Sequence, residues 1–198
     1  MTKTICLTTL LAAGFLCSGA LAQDKPAAKK STGAPAMAMP KPGPEMKELR
    51  GMIGSWTTEE TYEPSPFMAS GGTGTGTNTA RLGPGGFTIL MDQRSKSSMG
   101  PFSGHGVMTW DPNTKAYRSV WADSMSPGLV TETGKKEGDT LVFTGETMMM
   151  GKKLSVKDVI SDFTPTSYTL TSFMNDGSGE KKSMTIKFTK QEAAPAKK

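Results

Sequence analysis

Hydrophobic and polar residues alternate along most of the chain between Gly54 and Gln191. In the last alternating run, Met184, Ile186 and Phe188 fall on one side, and threonine or lysine separates them. A period of two is typical of a β-strand with one buried face. The alternating runs are GSWTTEETYE, TGTGTNTARL, GFTILMDQRSKS, FSGHGVMTWD, KAYRSVWADSM, GLVTETGKKEG, DTLVFTGETMM, KKLSVKDVISDF, TSYTLTSFMND and KKSMTIKFTKQ. The pattern therefore predicts about ten short strands.

The connections between these runs are short, and several have the residues of hairpin turns. Examples are Asp111–Thr114, Glu137–Asp139 and Asn175–Gly177. Short links indicate an antiparallel meander, and closing such a sheet into a barrel removes its two exposed edges. We therefore expect an all-β fold, an antiparallel up-and-down β-barrel of about ten strands. A two-sheet sandwich is the alternative.

One segment departs from the alternation. PEMKELRGMIG, residues 44–54, places Met46, Leu49 and Ile53 at helical spacing, begins at a proline and ends at a glycine. It predicts one short N-terminal helix, which would close one end of the barrel.

The first 22 residues have the three parts of a secretory signal peptide: a basic start at Lys3, an apolar run from Ile5 to about Leu16, and small residues up to Ala22. The run is too short for a transmembrane helix, which needs roughly 20 residues. We expect no membrane span. Cleavage after Ala22 would remove both cysteines, so we expect a periplasmic or secreted protein without disulfides.

The rest of the chain divides by composition. We predict a disordered linker rich in Pro, Ala and Lys at 23–44, a barrel domain at 45–190 and a disordered tail at 191–198. The chain has 23 Lys and Arg and 18 Asp and Glu, and seven of these bases and two of these acids lie outside the predicted domain. The domain therefore carries sixteen charges of each sign, which argues against nucleic acid as a partner.

Several stretches resemble one family. They are GMIGSW, LGPGGF, the G-x-G-x-M-x-W-D pattern, KAYRSVWADSMSPGL, TLVFTGE and DGSGEKKSMTIKFTK. Together they are similar to the bacterial domain-of-unknown-function family numbered 1579, over Met46 to Lys190. The resemblance implies a lipocalin-like barrel in an often exported protein, and it implies no activity.

The residue inventory argues against an enzyme. The only histidine is His105, and no nucleophile elbow accompanies it. GTGTGT lies in an alternating run with no helix after it, so it is a glycine-rich strand and not a dinucleotide fingerprint. The carboxylates Asp158 and Asp162 are expected to face solvent. A haem-binding barrel would need an axial ligand, and the mid-chain His105 is a poor candidate. We expect no catalytic site, no cofactor and no metal.

A small-molecule-binding barrel is the function that these observations favour, with an apolar or amphipathic ligand. Aromatic and methionine side chains would line the pocket, and an inward guanidinium could hold a ligand carboxylate or phosphate. The predicted pocket-facing residues are Met91, Met108, Trp110, Trp121, Phe143, Met184, Arg94 and Arg118.

Two alternatives remain open at this stage. The chain has 15 methionines, with a run at Met148–Met150, and thioethers suit Cu(I), so Met-assisted copper binding in the periplasm is one of them. The other is a ligand-free barrel that acts through protein contacts.

Overall fold

The structure is a computed structural model and describes residues 39–65, 68–149 and 151–192. The predicted signal peptide, most of the predicted linker, Met150 and the last six residues lie outside the described residues. The boundaries proposed for these segments stay predictions.

The described chain contains one α-helix, a 3₁₀ turn at Pro84–Gly86 and ten β-strands. Their bounds are α1 Met46–Arg50, β1 Gly54–Tyr62, β2 Gly72–Leu82, β3 Thr88–Ser97, β4 Gly100–Asp111, β5 Ala116–Asp123, β6 Val130–Glu137, β7 Thr140–Met149, β8 Lys152–Ser161, β9 Ser167–Asn175 and β10 Glu180–Lys190. Each predicted alternating run corresponds to one of these strands.

Every strand pairs antiparallel with its neighbour in sequence, and β1 pairs with β10 to close the sheet. The pairing of β1 with β10 places Thr58 opposite Phe188 and Glu60 opposite Ile186. The prediction of an up-and-down barrel is confirmed, and the sandwich alternative is wrong. Closure leaves no unpaired strand edge in the sheet.

The turn between β4 and β5 shows how the sequence fixes a hairpin. Asp111 Oδ1 accepts a hydrogen bond from the Asn113 amide at 2.9 Å, and Oδ2 accepts one from Thr114 Oγ1 at 2.7 Å. Lys115 then takes a left-handed backbone conformation, with φ of 51°. The aspartate side chain thus stabilises the turn that the sequence predicted here.

The helix closes one end of the barrel, which we call the floor end. Met46, Leu49 and Met52 are buried there, and the Trp56 indole N–H donates to the Met52 carbonyl at 2.8 Å. The helix ends at Arg50, so it is shorter than predicted, and Met52 is fully buried whereas the predicted Ile53 is partly exposed. Among the residues that the structure describes, no helix is long and apolar enough to cross a membrane.

Candidate functional site

Residues directly opposite each other in the barrel point to the same side of its wall, so one inward residue identifies its partners. Trp56 is fully buried inside, and following the strand pairings from Trp56 around the sheet identifies which residues of each strand share this inward parity. Six of the predicted pocket residues face inward: Met91, Met108, Trp110, Trp121, Phe143 and Met184.

The two predicted arginines do not face the interior. Arg94 is exposed between the inward Gln93 and Ser95, and Arg118 lies on the outer wall, where its Nε is 3.9 Å from Asp111 Oδ2. Strand alternation explains the error, because Arg94 is three residues from Met91 and Arg118 three residues from Trp121. An inward guanidinium for an acidic ligand is therefore ruled out at these two positions.

The lower half of the interior, next to α1, is apolar and tightly filled. Tyr168 stacks on Phe188 with ring centroids 4.2 Å apart, and Trp56 meets Tyr168 edge-on at 4.9 Å. The buried apolar residues here, which we call the floor, are Leu49, Met52, Trp56, Ile89, Tyr117, Leu141, Phe143, Ile160, Tyr168 and Phe188. Of the predicted pocket residues, Phe143 belongs to this floor, and Met91 and Met108 are buried in the same cluster.

Inward glycines let large side chains lie across the interior. A Cβ on Gly134 would lie 2.5 Å from the Phe143 ring, and one on Gly106 would lie 2.7 Å from the Trp121 ring. The Trp121 indole also covers Gly104. These glycines are the structural reason for the G-x-G spacing in β4, since a side chain at either position would displace the tryptophan.

A ring of polar side chains lies on the inner wall between the floor and the opposite, open end. Thr58 on β1, Gln93 on β3 and Asp158 on β8 each lie two positions from a buried apolar residue, on the side towards the open end. We call this ring the polar band; it consists of Thr58, Glu60, Asn78, Gln93, Ser119, Glu132, Asp158 and Ser172.

One side of the band is a hydrogen-bonded cluster. The Gln93 amide nitrogen donates to Thr58 Oγ1 at 3.1 Å and to Glu60 Oε1 at 3.0 Å, and the Tyr62 hydroxyl donates to Glu60 Oε2 at 2.5 Å. Burial, helped by the Glu60 carboxylate, raises the pKa of Tyr62. The hydroxyl therefore stays protonated and remains a donor to Glu60.

The other side of the band holds a pair of carboxyl groups. Glu132 on β6 lies opposite Ser119 on β5 and Gly145 on β7. A Cβ on Gly145 would lie 2.9 Å from Glu132 Cγ, so this glycine makes room for the glutamate. Asp158, partly buried on β8, accepts a hydrogen bond from Ser172 Oγ at 2.6 Å.

This carboxyl pair is protonated more readily than exposed acids. Burial, together with the charge of Asp158, raises the pKa of Glu132 to about 8, although a hydrogen bond with Ser119 opposes the shift. Burial also raises the pKa of Asp158 to about 6, and the Ser172 hydrogen bond opposes it. The expectation that Asp158 faces solvent is wrong, because the residue shares its parity with the buried Val156 and Ile160.

Three buried oxygens in the band have no hydrogen-bond partner: Asn78 Oδ1, Gln93 Oε1 and Glu132 Oε1. Their residues are 5%, 4% and 7% exposed. Leaving such a group unsatisfied costs about 1–3 kcal/mol. The Asn78 and Gln93 oxygens are acceptors at any pH, and the Glu132 oxygen is an acceptor when the carboxyl group is ionised, so the band offers unused acceptors to a donor that enters the barrel.

The open end of the barrel, which we call the mouth, has an apolar rim. Met99, Met125, Leu129 and Met148 lie on the connections between strands at this end or next to them, and they are 43%, 51%, 65% and 54% exposed. Exposed apolar side chains that share one end of a molecule are typical of a binding surface.

A cavity of about 290 Å³ opens at the mouth. Trp121 and Val130 line its inner side, and Glu146 and Lys153 form an ion pair of 2.7 Å at its edge. Val130 is the inward residue next to Glu132 along β6, so the inner side of the cavity lies two residues from the polar band on this strand.

A second cavity, of about 380 Å³, lies across β7, β8 and β9. The Lys157 ammonium group sits over the Phe173 ring there and pairs with Glu180. Thr144, Lys157 and Phe173 point to the outer side of the wall, so this cavity lies largely outside the barrel. The mouth cavity has the inward Trp121, Val130 and Thr147 in its lining and is the better candidate for a ligand site.

His105 lies on the outer wall, about half exposed, where its Nδ1 is 2.8 Å from Asp92 Oδ1. The imidazole therefore cannot reach a group bound inside the barrel. In the described ranges, no three His, Cys, Asp or Glu side chains come together as a metal site would require.

Sequence reasoning missed the polar band, although part of its signal is present. Asp158 stands between Val156 and Ile160 at a spacing of two, and Gln93 stands two residues after Met91. A polar residue at an inward parity is the signal in both cases. For Glu132, whose strand is mostly polar, only the barrel register reveals the direction of the side chain.

The fold and the site define a ten-stranded up-and-down β-barrel with a closed apolar floor, a polar band and an open mouth. The chain belongs to the family described as protein of unknown function DUF1579, whose model matches residues 41–190. This confirms the resemblance found in the sequence. No curated protein matches the chain in sequence.

Two solved structures share the fold. Rv2717c from M. tuberculosis superimposes with a TM-score of 0.54 at 13% identity, over 77% of this chain and 100% of that one. The S-type phycobiliprotein lyase CPES from Guillardia theta superimposes with a TM-score of 0.51 at 11% identity, over 75% of this chain and 93% of that one. Identities this low support the barrel architecture alone.

Proposed function

We propose that this protein is an exported carrier that binds a small amphipathic molecule inside its barrel. The ligand enters through the mouth, places its polar group against the polar band and leaves its apolar part against Trp121 and Val130. The observation that carries the proposal is the set of buried, unpartnered oxygens on Asn78, Gln93 and Glu132.

The energetics support a ligand over a purely structural role for the band. A barrel that needs only stability gains from apolar inward residues, because unsatisfied polar groups cost free energy. The floor shows that this chain can build such an apolar interior. The polar residues lie on the mouth side of the floor, where a ligand that enters through the mouth would meet and satisfy them.

Native mass spectrometry of the protein from its own cells tests the proposal. We expect an additional mass of a few hundred daltons that disappears on denaturation. The variant Thr147→Trp places an indole at an inward position that lines the mouth cavity, and it should abolish the additional mass. Thr131→Trp is the matched control, because Thr131 is exposed on the outer wall of β6.

An additional mass that survives in Thr147→Trp would place the ligand outside the mouth cavity and contradict the proposal. A bare polypeptide that also takes up no amphiphile when purified would favour the protein-contact alternative. Export is tested separately by the N-terminal residue of the mature protein, which we expect to be Gln23.

Copper binding is the second candidate, and the methionines at the mouth favour it. Met99, Met125 and Met148 are exposed at the same end of the barrel, and thioethers are soft ligands suited to Cu(I). An additional mass equal to copper, lost from Met148→Leu, would support this function over the carrier.

A further inference from the structure

We propose that the polar band selects a ligand that carries a protonated amine, whose ammonium hydrogens are accepted by Glu132 with Asp158 beside it. This inference rests on the proposed function and adds the chemical class of the ligand's polar group.

The first argument is the charge of the inner wall. The polar band contains three carboxyl groups, on Glu60, Glu132 and Asp158, and no basic side chain. None of the ion pairs found in the described part of the chain includes any of the three. Arg94 and Arg118 lie on the outer wall. A cation is therefore the charge that the polar band lacks.

The second argument is the direction of the unused hydrogen bonds. The unpartnered amide oxygens of Asn78 and Gln93 can only accept, and the Glu132 oxygen accepts once the carboxyl group is ionised. A fourth unpartnered oxygen, Ser95 Oγ, can accept or donate. The amide nitrogen of Gln93 is already committed to Thr58 and Glu60. A primary ammonium group has three donors and no acceptor, so it satisfies such a site without adding an unpaired oxygen of its own. A carboxylate ligand would instead face three acidic side chains.

The third argument concerns protonation, and it predicts the direction in which amine affinity changes with pH. The titratable side chains nearest Glu132 on the inner wall are Asp158 on β8 and Tyr117 on β5, with Glu60 and Tyr62 on the far side. Towards the floor end, Lys136 is paired with Glu48, and towards the mouth, Asp123 lines the cavity. The carboxyl pair holds protons more strongly than exposed acids do. An entering ammonium must displace such a proton, so amine affinity must rise as the pH rises and the pair ionises.

The experiment compares n-octylamine, n-octanol and n-octanoate, which share a chain and differ in the polar group. Isothermal titration calorimetry with the mature protein at pH 8 should show octylamine binding about tenfold more tightly than octanol, because charge-assisted hydrogen bonds are the stronger ones. Octanoate should bind most weakly. Between pH 5.5 and pH 8.5 the octylamine affinity should rise, since an alkylamine titrates near pH 10, as lysine does.

Glu132→Gln keeps the shape of the side chain and removes its charge. It should lower octylamine affinity about tenfold, remove most of the pH dependence and leave octanol affinity within about twofold. Asp158→Asn is the second variant and should have the same direction with a smaller effect. Glu59→Gln, exposed on the outer wall of β1 beside the inward Glu60, is the matched control and should change octylamine affinity by less than about twofold.

The possible outcomes separate the two proposals. Equal affinity for all three probes, or amine affinity unchanged in Glu132→Gln, overturns the amine preference and leaves the carrier function standing. No binding of any probe, together with a bare mass in the native spectrum, overturns both proposals.

Discussion

The floor and the polar band are formed by the same barrel, yet their inward side chains differ in polarity and in how fully their polar atoms are hydrogen-bonded. At the floor, aromatic and aliphatic side chains fill the interior, and the one polar atom of Trp56 is satisfied by the Met52 carbonyl. Two residues further along the strands, the band holds three acids and three unpartnered oxygens. The floor therefore supplies the stability, and the band has the features of a site that awaits a ligand.

The largest expected effect tests the role of the floor. Trp56→Ala should lower the free energy of unfolding by about 3–5 kcal/mol, because it removes a fully buried indole, its hydrogen bond and its edge-on contact with Tyr168. Trp121→Ala, which removes a half-buried indole at the mouth, should lower the free energy of unfolding by less than half as much. Urea unfolding followed by circular dichroism measures both values, and equal losses would contradict the division between floor and mouth.

Much of this division could be predicted from the sequence, and the errors have a physical cause. Alternation identified all ten strands and placed Met91 and Trp121 inward, since apolar residues mark a buried face. The same alternation places Arg94 and Arg118 on the outer face, because residues three apart lie on opposite faces of a regular strand. Applying the strand period consistently would have moved both arginines to the outer wall.

The polar band could not be predicted in the same way, because a polar residue normally indicates a solvent-facing position. The direction of Glu132 follows only from its register with Ser119 and Gly145, which the closed barrel fixes. Asp158 was the exception, since its apolar neighbours at a spacing of two already indicated its face. The site was thus harder to predict than the fold.

The second prediction concerns the pH dependence of stability. The pKa of Glu132 is about 8 in the folded protein and near 4.5 in the unfolded chain, so the folded state retains a proton that the unfolded state has released. Stability should therefore fall as the pH rises from about 4.5 to about 8, by roughly 4 kcal/mol. Asp158 adds to this fall between about pH 4 and pH 6.

Glu132→Gln should flatten this profile above pH 6 and make the protein more stable than the wild type at pH 8. Thermal unfolding in a buffer series from pH 5 to pH 9 measures both profiles. This range avoids Asp111 and Asp176, whose lowered pKa values affect stability only in acid, and the tyrosines, which titrate in stronger base. A wild-type profile that rises across this range would show that the band is not desolvated.

The smallest expected effect is on the free energy of unfolding when an inward glycine under an aromatic ring is replaced by alanine. Gly134→Ala should lower it by about 1–3 kcal/mol, because its Cβ would meet the Phe143 ring at 2.5 Å, and Phe143 is fully buried against Tyr117. Gly104→Ala would press on the Trp121 ring in the same way, but this half-buried indole borders the mouth cavity and has room to move. Its cost should stay below about 1 kcal/mol.

Both substitutions change the backbone entropy of the unfolded chain equally, so the difference between their urea midpoints reports the rigidity of the two regions. If Gly104→Ala were as costly as Gly134→Ala, Trp121 would be fixed as firmly as the floor, and the mouth could not adapt to an entering ligand.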